Sequence, residues 1–194
     1  MTSLDQIKAL REKTGIGMID AKNALTESGG DIDKAILYLR KQGAFKAHKK
    51  GTRAMNEGLV HAYIHSNGKM GVLIEVTCET DFVARTDDFK NFVNDIALHV
   101  TAADPTYLSK EDVPENVIQD EAALARTQLK GQGKNDTIIE KALQGKMQEF
   151  YQENCLLDQK FIKDESFTIE ELLHDVVAKL GENIKIKRFT RFSL

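Results

Sequence analysis

The passage from Met70 to Ala103 constrains this chain more than any other. Residues 70–77 (MGVLIEVT) read as a buried strand, and residues 87–103 as an amphipathic helix. In that helix Phe89, Phe92, Val93, Ile96, Ala97 and Val100 recur at i, i+3, i+4 and i+7 spacing, and Asp104-Pro105 ends it. A strand and a helix of this kind must bury their apolar sides, so they mark the centre of a core. Just ahead, residues 59–65 (LVHAYIH) alternate weakly, and Asn67-Gly68 is a hairpin turn signal, which together predict a β-hairpin. Residues 78–84 form the loop from strand to helix.

The flanking segments are mostly helical. Ser3 and Gln6 make a capping-box pattern before Leu4, Ile7 and Leu10, and Gly15 stops that helix. A second helix spans about Met18 to Glu27, with Ala21, Ala24 and Leu25 inward and Gly29-Gly30 as its stop. Asp31 caps a third, whose stripe is Ile32, Ala35, Ile36 and Leu39 and whose end is predicted at Gly43. Residues 1–43 thus read as a three-helix module with too small a core for an enzyme. Residues 44–57, with Lys46, His48, Lys49, Lys50 and Arg53, read as a solvated basic linker.

Residues 58–194 read as the main domain. Beyond the amphipathic helix, 106–114 is a polar loop. Pro114 opens a helix to about Lys130, Gly131 and Gly133 break it, and Asp136 caps another to about Asn154. Together they form a helical hairpin over about 115–154. Thr168 and Glu171 start a further helix that Gly181 ends, and 183–192 (NIKIKRFTRF) closes the chain as a strand pairing with the hairpin. Its alternation slips between Ile186 and Phe189, the signature of a bulge. Runs of helices around a small antiparallel sheet make the fold class α+β rather than a doubly wound sheet.

Composition narrows the function classes. With 27 basic and 30 acidic side chains the net charge is −3, which argues against direct nucleic-acid binding. No apolar run is long enough to span a membrane. Cys78 and Cys155 stand far apart, as two free thiols in a reducing cytoplasm. There is no GxxxxGK[ST] loop and no GxSxG elbow, and Gly15-Ile16-Gly17 follows a helix instead of a strand. His61 and His65 share a strand face, with Glu75 across the hairpin, but tetrahedral zinc requires a further ligand. His99 and His174 lie on helices without a nucleophile partner, and no acid–base set forms around Glu79 and Asp81. The expectation is no enzyme, no metal and no cofactor.

The segment Cys78-Glu-Thr-Asp-Phe-Val-Ala-Arg85 stands out, because rigid elements hold it at both ends. Phe82 and Val83 either tuck under the following helix as a staple, with Asp81 as its cap, or present an exposed wedge.

Six ordered blocks carry a resemblance across nearly the whole chain: Leu10 to Met18 (LREKTGIGM), Ser28 to Ala35 (SGGDIDKA), Gly71 to Ala84 (GVLIEVTCETDFVA), Asp95 to Val100 (DIALHV), Leu156 to Asp164 (LLDQKFIKD) and Gly181 to Phe189 (GENIKIKRF). The chain resembles the bacterial translation elongation factor Ts family. That resemblance implies a guanine-nucleotide exchange factor for the GTPase elongation factor Tu, acting in the cytoplasm during translation elongation. It implies that residues 1–43 are a ubiquitin-associated-like bundle docking on the GTPase through Arg11 and Met18. Ile19 stands where many members have a second Met. It implies that Thr80, Asp81, Phe82 and Val83 form the loop that wedges the aromatic into the partner and dislocates its bound magnesium. His99 matches a histidine that either contacts the partner or packs its helix. With one core instead of a duplicated one, the chain resembles the short form, which implies a homodimer. Two rivals remain: an interaction adaptor, and a hydrolase or metalloenzyme built on His61, His65, Glu79 and Asp81.

Overall fold

The computed structural model describes residues 3–50, 54–131 and 136–194. Three helices come first: α1 (Leu4–Thr14), α2 (Met18–Glu27) and α3 (Ile32–Lys50). Three of their ends have a clear local cause. The Ser3 side chain accepts from Gln6 N–H and the Gln6 side chain from Ser3 N–H, closing the capping box at 3.1 and 2.9 Å. Gly15, at φ 67°, turns the chain out of α1 in a conformation that costs a side chain strain. Asp31 accepts from Lys34 N–H at the start of α3. Ile7, Leu10, Ala21, Ala24, Leu25 and Ala35 form the small core of these helices.

Gly43 does not stop α3, which continues to Lys50, so residues 44–50 of the expected linker are helical. A single glycine inside a helix costs only about 1 kcal/mol, and good helix formers flank it. Residues 51–53 lie outside the described residues.

The main body is built on the antiparallel sheet β1 (Glu57–Ile64), β2 (Met70–Cys78) and β5 (Ile184–Ser193), in the order β1-β2-β5. Gly68, at φ 66°, sits in the β1–β2 turn as Asn67-Gly68 predicts. The slip in β5 is a real bulge: Glu75 pairs with Arg188 but Val76 with Ile186, so Lys187 is the extra residue. One sheet face, with Val72, Ile74, Val76, Ile184 and Ile186, packs on α5 (Asp87–Ala103) through Phe89, Phe92, Val93, Ile96 and Val100. The outer face leaves Val60, Ile64, Leu73 and Phe192 exposed.

Helices α6 (Glu115–Gly131) and α7 (Asp136–Asn154) pack on each other as the predicted hairpin, tied by an Arg126–Glu140 ion pair at 2.8 Å. Gly133 of its turn lies outside the described residues. The sequence pattern missed a short hairpin, β3 (Lys160–Phe161) and β4 (Asp164–Thr168), which feeds α8 (Ile169–Leu180). The Thr168–Glu171 capping box starts α8, and Gly181 ends it at φ 77°. The three-helix bundle rests on α8. Arg40 of α3 lies 3.6 Å from Asp175, with its guanidinium 5.1 Å from the centre of the Phe167 ring. Burial holds the Asp175 carboxyl above its usual range, with Arg40 opposing.

Gly58 offers a test of how tightly β1 lies on β2. At φ 147°, a Cβ there would stand 2.1 Å from the Val76 carbonyl oxygen. Gly58→Ala is expected to cost about 2–4 kcal/mol, read as a lower denaturant midpoint; an unchanged midpoint would mean that β1 shifts freely.

Candidate functional site

The strand-to-helix connection is not an open loop. Thr80 caps a four-residue helix, α4 (Asp81–Ala84), and its hydroxyl accepts from Val83 N–H at 3.4 Å. Thr86 then caps α5, accepting from Phe89 N–H at 3.3 Å and donating to Val83 O at 2.8 Å. Consecutive helical residues point about 100° apart, so α4 sorts its side chains. Ala84 is buried and Val83 packs on the core, while Phe82 points out and is 78% exposed. The staple reading thus holds for Val83 and fails for Phe82, and the cap of the following helix α5 is Thr86 instead of Asp81, which lies inside α4. Asp81 pairs with Arg85 at 2.8 Å on the surface.

Two carboxylates lock the base of α4 to the turn between α8 and β5. Glu182 accepts at Oε2 from Thr80 N–H (3.0 Å) and Glu79 N–H (3.2 Å), and at Oε1 from the Thr80 hydroxyl (2.6 Å). Glu79 Oε1 accepts from Asn183 N–H at 2.7 Å. Sequence reasoning assigned nothing to Glu182 or Asn183; their only signal was membership of the GENIKIKRF block.

His99 is 1% exposed. Its Nδ1 accepts from Ile162 N–H at 3.2 Å, which makes Nε2 the protonated nitrogen, donating to Gln159 Oε1 at 3.0 Å. Gln159 donates in turn to the Glu153 carbonyl at 2.7 Å. The ring thus ties α5 to the turn after β3 and, through Gln159, to the end of α7. Burial lowers its pKa, and the Gln159 hydrogen bond opposes that only in part.

The bundle carries its own exposed apolar pair at the start of α2, with Met18 at 56% and Ile19 at 76% exposure. Arg11 Nε donates to the Ile16 carbonyl at 3.3 Å, bracing the α1–α2 turn beside them.

The elements of the hydrolase reading do not converge. His61 lies 3.3 Å from Asn94 on the α5 side of the sheet, and His65 3.3 Å from the Tyr63 hydroxyl. Glu75 pairs with Val60 on the opposite face, where Lys187 at 2.9 Å and Arg188 at 2.6 Å hold its carboxyl below the usual range. Burial pushes the Cys78 and Cys155 thiols up to about 11, too high for thiolate chemistry at neutral pH. Among the described residues no helix is long and apolar enough to cross a membrane.

The model of the family described as elongation factor TS matches residues 44–194. Over 192 residues the chain is 52% identical to Elongation factor Ts of Caldanaerobacter subterraneus subsp. tengcongensis, covering 99% of this chain and 96% of that one. It is 50% identical over 194 residues to Elongation factor Ts of Moorella thermoacetica, covering 100% and 96%. Elongation factor Ts of Fervidobacterium nodosum is 52% identical over 192 residues, covering 99% and 98%. All three alignments extend through the bundle, which the family match at 44–194 does not include.

The buried imidazole predicts an acid-side loss of stability. A folded pKa below the unfolded value of about 6.5 leaves the His99 contribution complete above that pH and removes it as pH falls below. The unfolding free energy from urea titration should fall more between pH 7.5 and 5.5 for the wild type than for His99→Leu, by at most about 1.4 kcal/mol per pH unit. Equal pH slopes in the two proteins would place the acid-sensitive group elsewhere.

Proposed function

The chain belongs to the elongation factor Ts family, and from that membership we propose that it is the guanine-nucleotide exchange factor of the GTPase elongation factor Tu. In this reading it binds the GDP form, disturbs the magnesium and phosphate site, and promotes GDP release so that GTP can rebind. The work is non-covalent and needs no cofactor; it takes place in the cytoplasm, without direct contact to nucleic acid or membrane. The observation that carries the reading is the exposure of Phe82 on a helix fixed at both ends. A large apolar ring is held in water where its own fold gains nothing from it, which suits a side chain whose pocket belongs to a partner.

Magnitudes divide the labour. Burying one Phe contributes about 1.5–3 kcal/mol. A ten-thousandfold shift needs about 5.5 kcal/mol. The wedge of Thr80, Asp81, Phe82 and Val83 must therefore draw on binding energy gained elsewhere. The three-helix bundle, residues 1–43 in a ubiquitin-associated-like role, docks through Arg11 and Met18, with Ile19 enlarging the same apolar tip. Residues 58–194 supply the wedge, and within that body His99 packs α5 against Gln159 and Ile162. Because coupling between sites is reciprocal, a factor that weakens GDP binding is itself weakened by GDP. GTP at cellular excess then releases it.

The outer sheet face supports a homodimer. Val60, Ile64, Leu73 and Phe192 are exposed on it, flanked at one end by the Glu75, Lys187 and Arg188 charge cluster. A second copy of this face offers the matching apolar surface about a two-fold axis.

Release of fluorescent GDP from elongation factor Tu, chased with excess GDP, tests the exchange reading. The wild type should accelerate release steeply. Phe82→Ala should lower the plateau rate roughly tenfold to a hundredfold, the equivalent of about 1.5–3 kcal/mol, without moving the thermal midpoint. Met18→Ala should instead raise the half-saturating concentration and spare the plateau. Nucleotide-independent binding with no acceleration would return the chain to the adaptor class. Sedimentation should show a dimer for the wild type and a monomer for Ile64→Glu combined with Phe192→Glu; a monomeric wild type at tens of micromolar would overturn the pairing.

A further inference from the structure

We propose that Glu182 is the positioning residue of the Phe82 helix, an inference that rests on the exchange reading. Helix α4 cannot hold itself. A first helical turn fixes several dihedral angles for one hydrogen bond and is unfavourable alone. Here the internal bonds are Ala84 N–H to Thr80 O at 3.2 Å and Arg85 N–H to Asp81 O at 3.1 Å. Phe82 adds nothing, since its ring faces solvent. The C-terminal end is anchored by Val83 and Ala84 in the core and by the Thr86 cap. The N-terminal end depends on Glu182, about a hundred residues away in the chain, which takes three donors from Glu79 and Thr80.

The Thr80 hydroxyl shows how the clamp sets the cap. It has one proton and must both donate and accept. Giving that proton to Glu182 at 2.6 Å leaves its lone pairs for Val83 N–H at 3.4 Å, the bond that starts α4. A carboxylate acceptor makes these bonds stronger than neutral ones. Gly181, at φ 77°, swings the chain out of α8 so that Glu182 reaches across, and the return bond from Asn183 N–H to Glu79 Oε1 keeps both strands of the clamp in register. When Phe82 presses on a partner, the reaction force passes through α4. A helix start that yields would dissipate it, so Glu182 converts docking energy into displacement without itself touching the partner's site.

The test uses the full chain with Glu182→Gln, Glu182→Ala and Glu182→Asp, assayed below all thermal midpoints. Glu182→Gln keeps the size but loses one acceptor and the charge. Expected is a plateau exchange rate lowered on the order of tenfold in the Gln and Ala variants, with the half-saturating concentration within about twofold of wild type. Glu182→Asp should recover part of the plateau. Amide exchange at Glu79 and Thr80 should accelerate in the Gln and Ala variants while the α5 amides keep their protection. A wild-type plateau in Glu182→Ala overturns the proposal, as does a plateau loss matched by a general loss of amide protection in both variants. If the wild type itself fails to release GDP, the exchange reading falls. The Glu79 and Thr80 amides then still decide the clamp: faster exchange confined to them supports it, and unchanged exchange overturns it.

Discussion

The seam between β2 and α5 is the contact on which the rest of this molecule depends. Val72, Ile74 and Val76 on the strand meet Phe89, Phe92, Val93 and Ile96 on the helix, all nearly or fully buried. At about 25 cal/mol per Å² of apolar surface, large side chains packed this way outweigh any single polar contact elsewhere in the fold. The connection between the two elements is short, so its geometry is dictated by their ends. A side chain placed on α4 therefore inherits the rigidity of the core, and the one large apolar residue that α4 turns outward is Phe82. The fold supplies an aromatic that cannot retreat.

What could be read from the sequence was what local chemistry decides. Capping boxes at Ser3 and Thr168, left-handed glycines at Gly15 and Gly181, and the span of α5 all follow from residues within a few positions of each other. Even the β5 bulge was visible, because Ile186 and Phe189 both need the core and are an odd number of residues apart. Gly43 failed as a signal because a helix tolerates one glycine when its neighbours favour the turn. The β3–β4 hairpin was hidden by its shorter strand, since the two residues of β3 cannot display a period. Two readings of Phe82 stayed open because hydrophobicity alone does not say which side of a four-residue helix faces the core. Glu182 and Gln159 lie in two of the resemblance blocks but show no local pattern that assigns them a role: their partners, Thr80 and His99, are fixed only by tertiary structure.

The bundle is more firmly attached than its sequence suggested. Half of its buried residues are alanine, which gives little apolar area. Ile36 and Leu39 lie toward α8, where Phe167 and Val176 line the same cleft and Arg40 bridges to Asp175. On the proposed reading, this attachment lets force generated at Met18 reach the main body, because a bundle on a slack tether could bind but not pull. Lys179, which pairs with Asp88 at 2.7 Å, carries the connection on to the first turn of α5.

The bulge at Lys187 also changes the phase of everything after it. Ile184 and Ile186 face α5; past the extra residue, the inward positions become Phe189 and Arg191. Arg191 then reaches the C-terminal end of α5, donating to the Thr101 carbonyl at 3.0 Å and pairing with Asp104 at 3.0 Å, while Phe192 is exposed on the outer sheet face. One inserted residue thus assigns a cation to the helix end and an aromatic to the surface with no change in the residue types that follow. For the lineage of this chain, β5 behaves like a reading frame: substitutions along it can be absorbed one at a time, but loss of a single residue before Arg188 would exchange its inner and outer vocabularies at once.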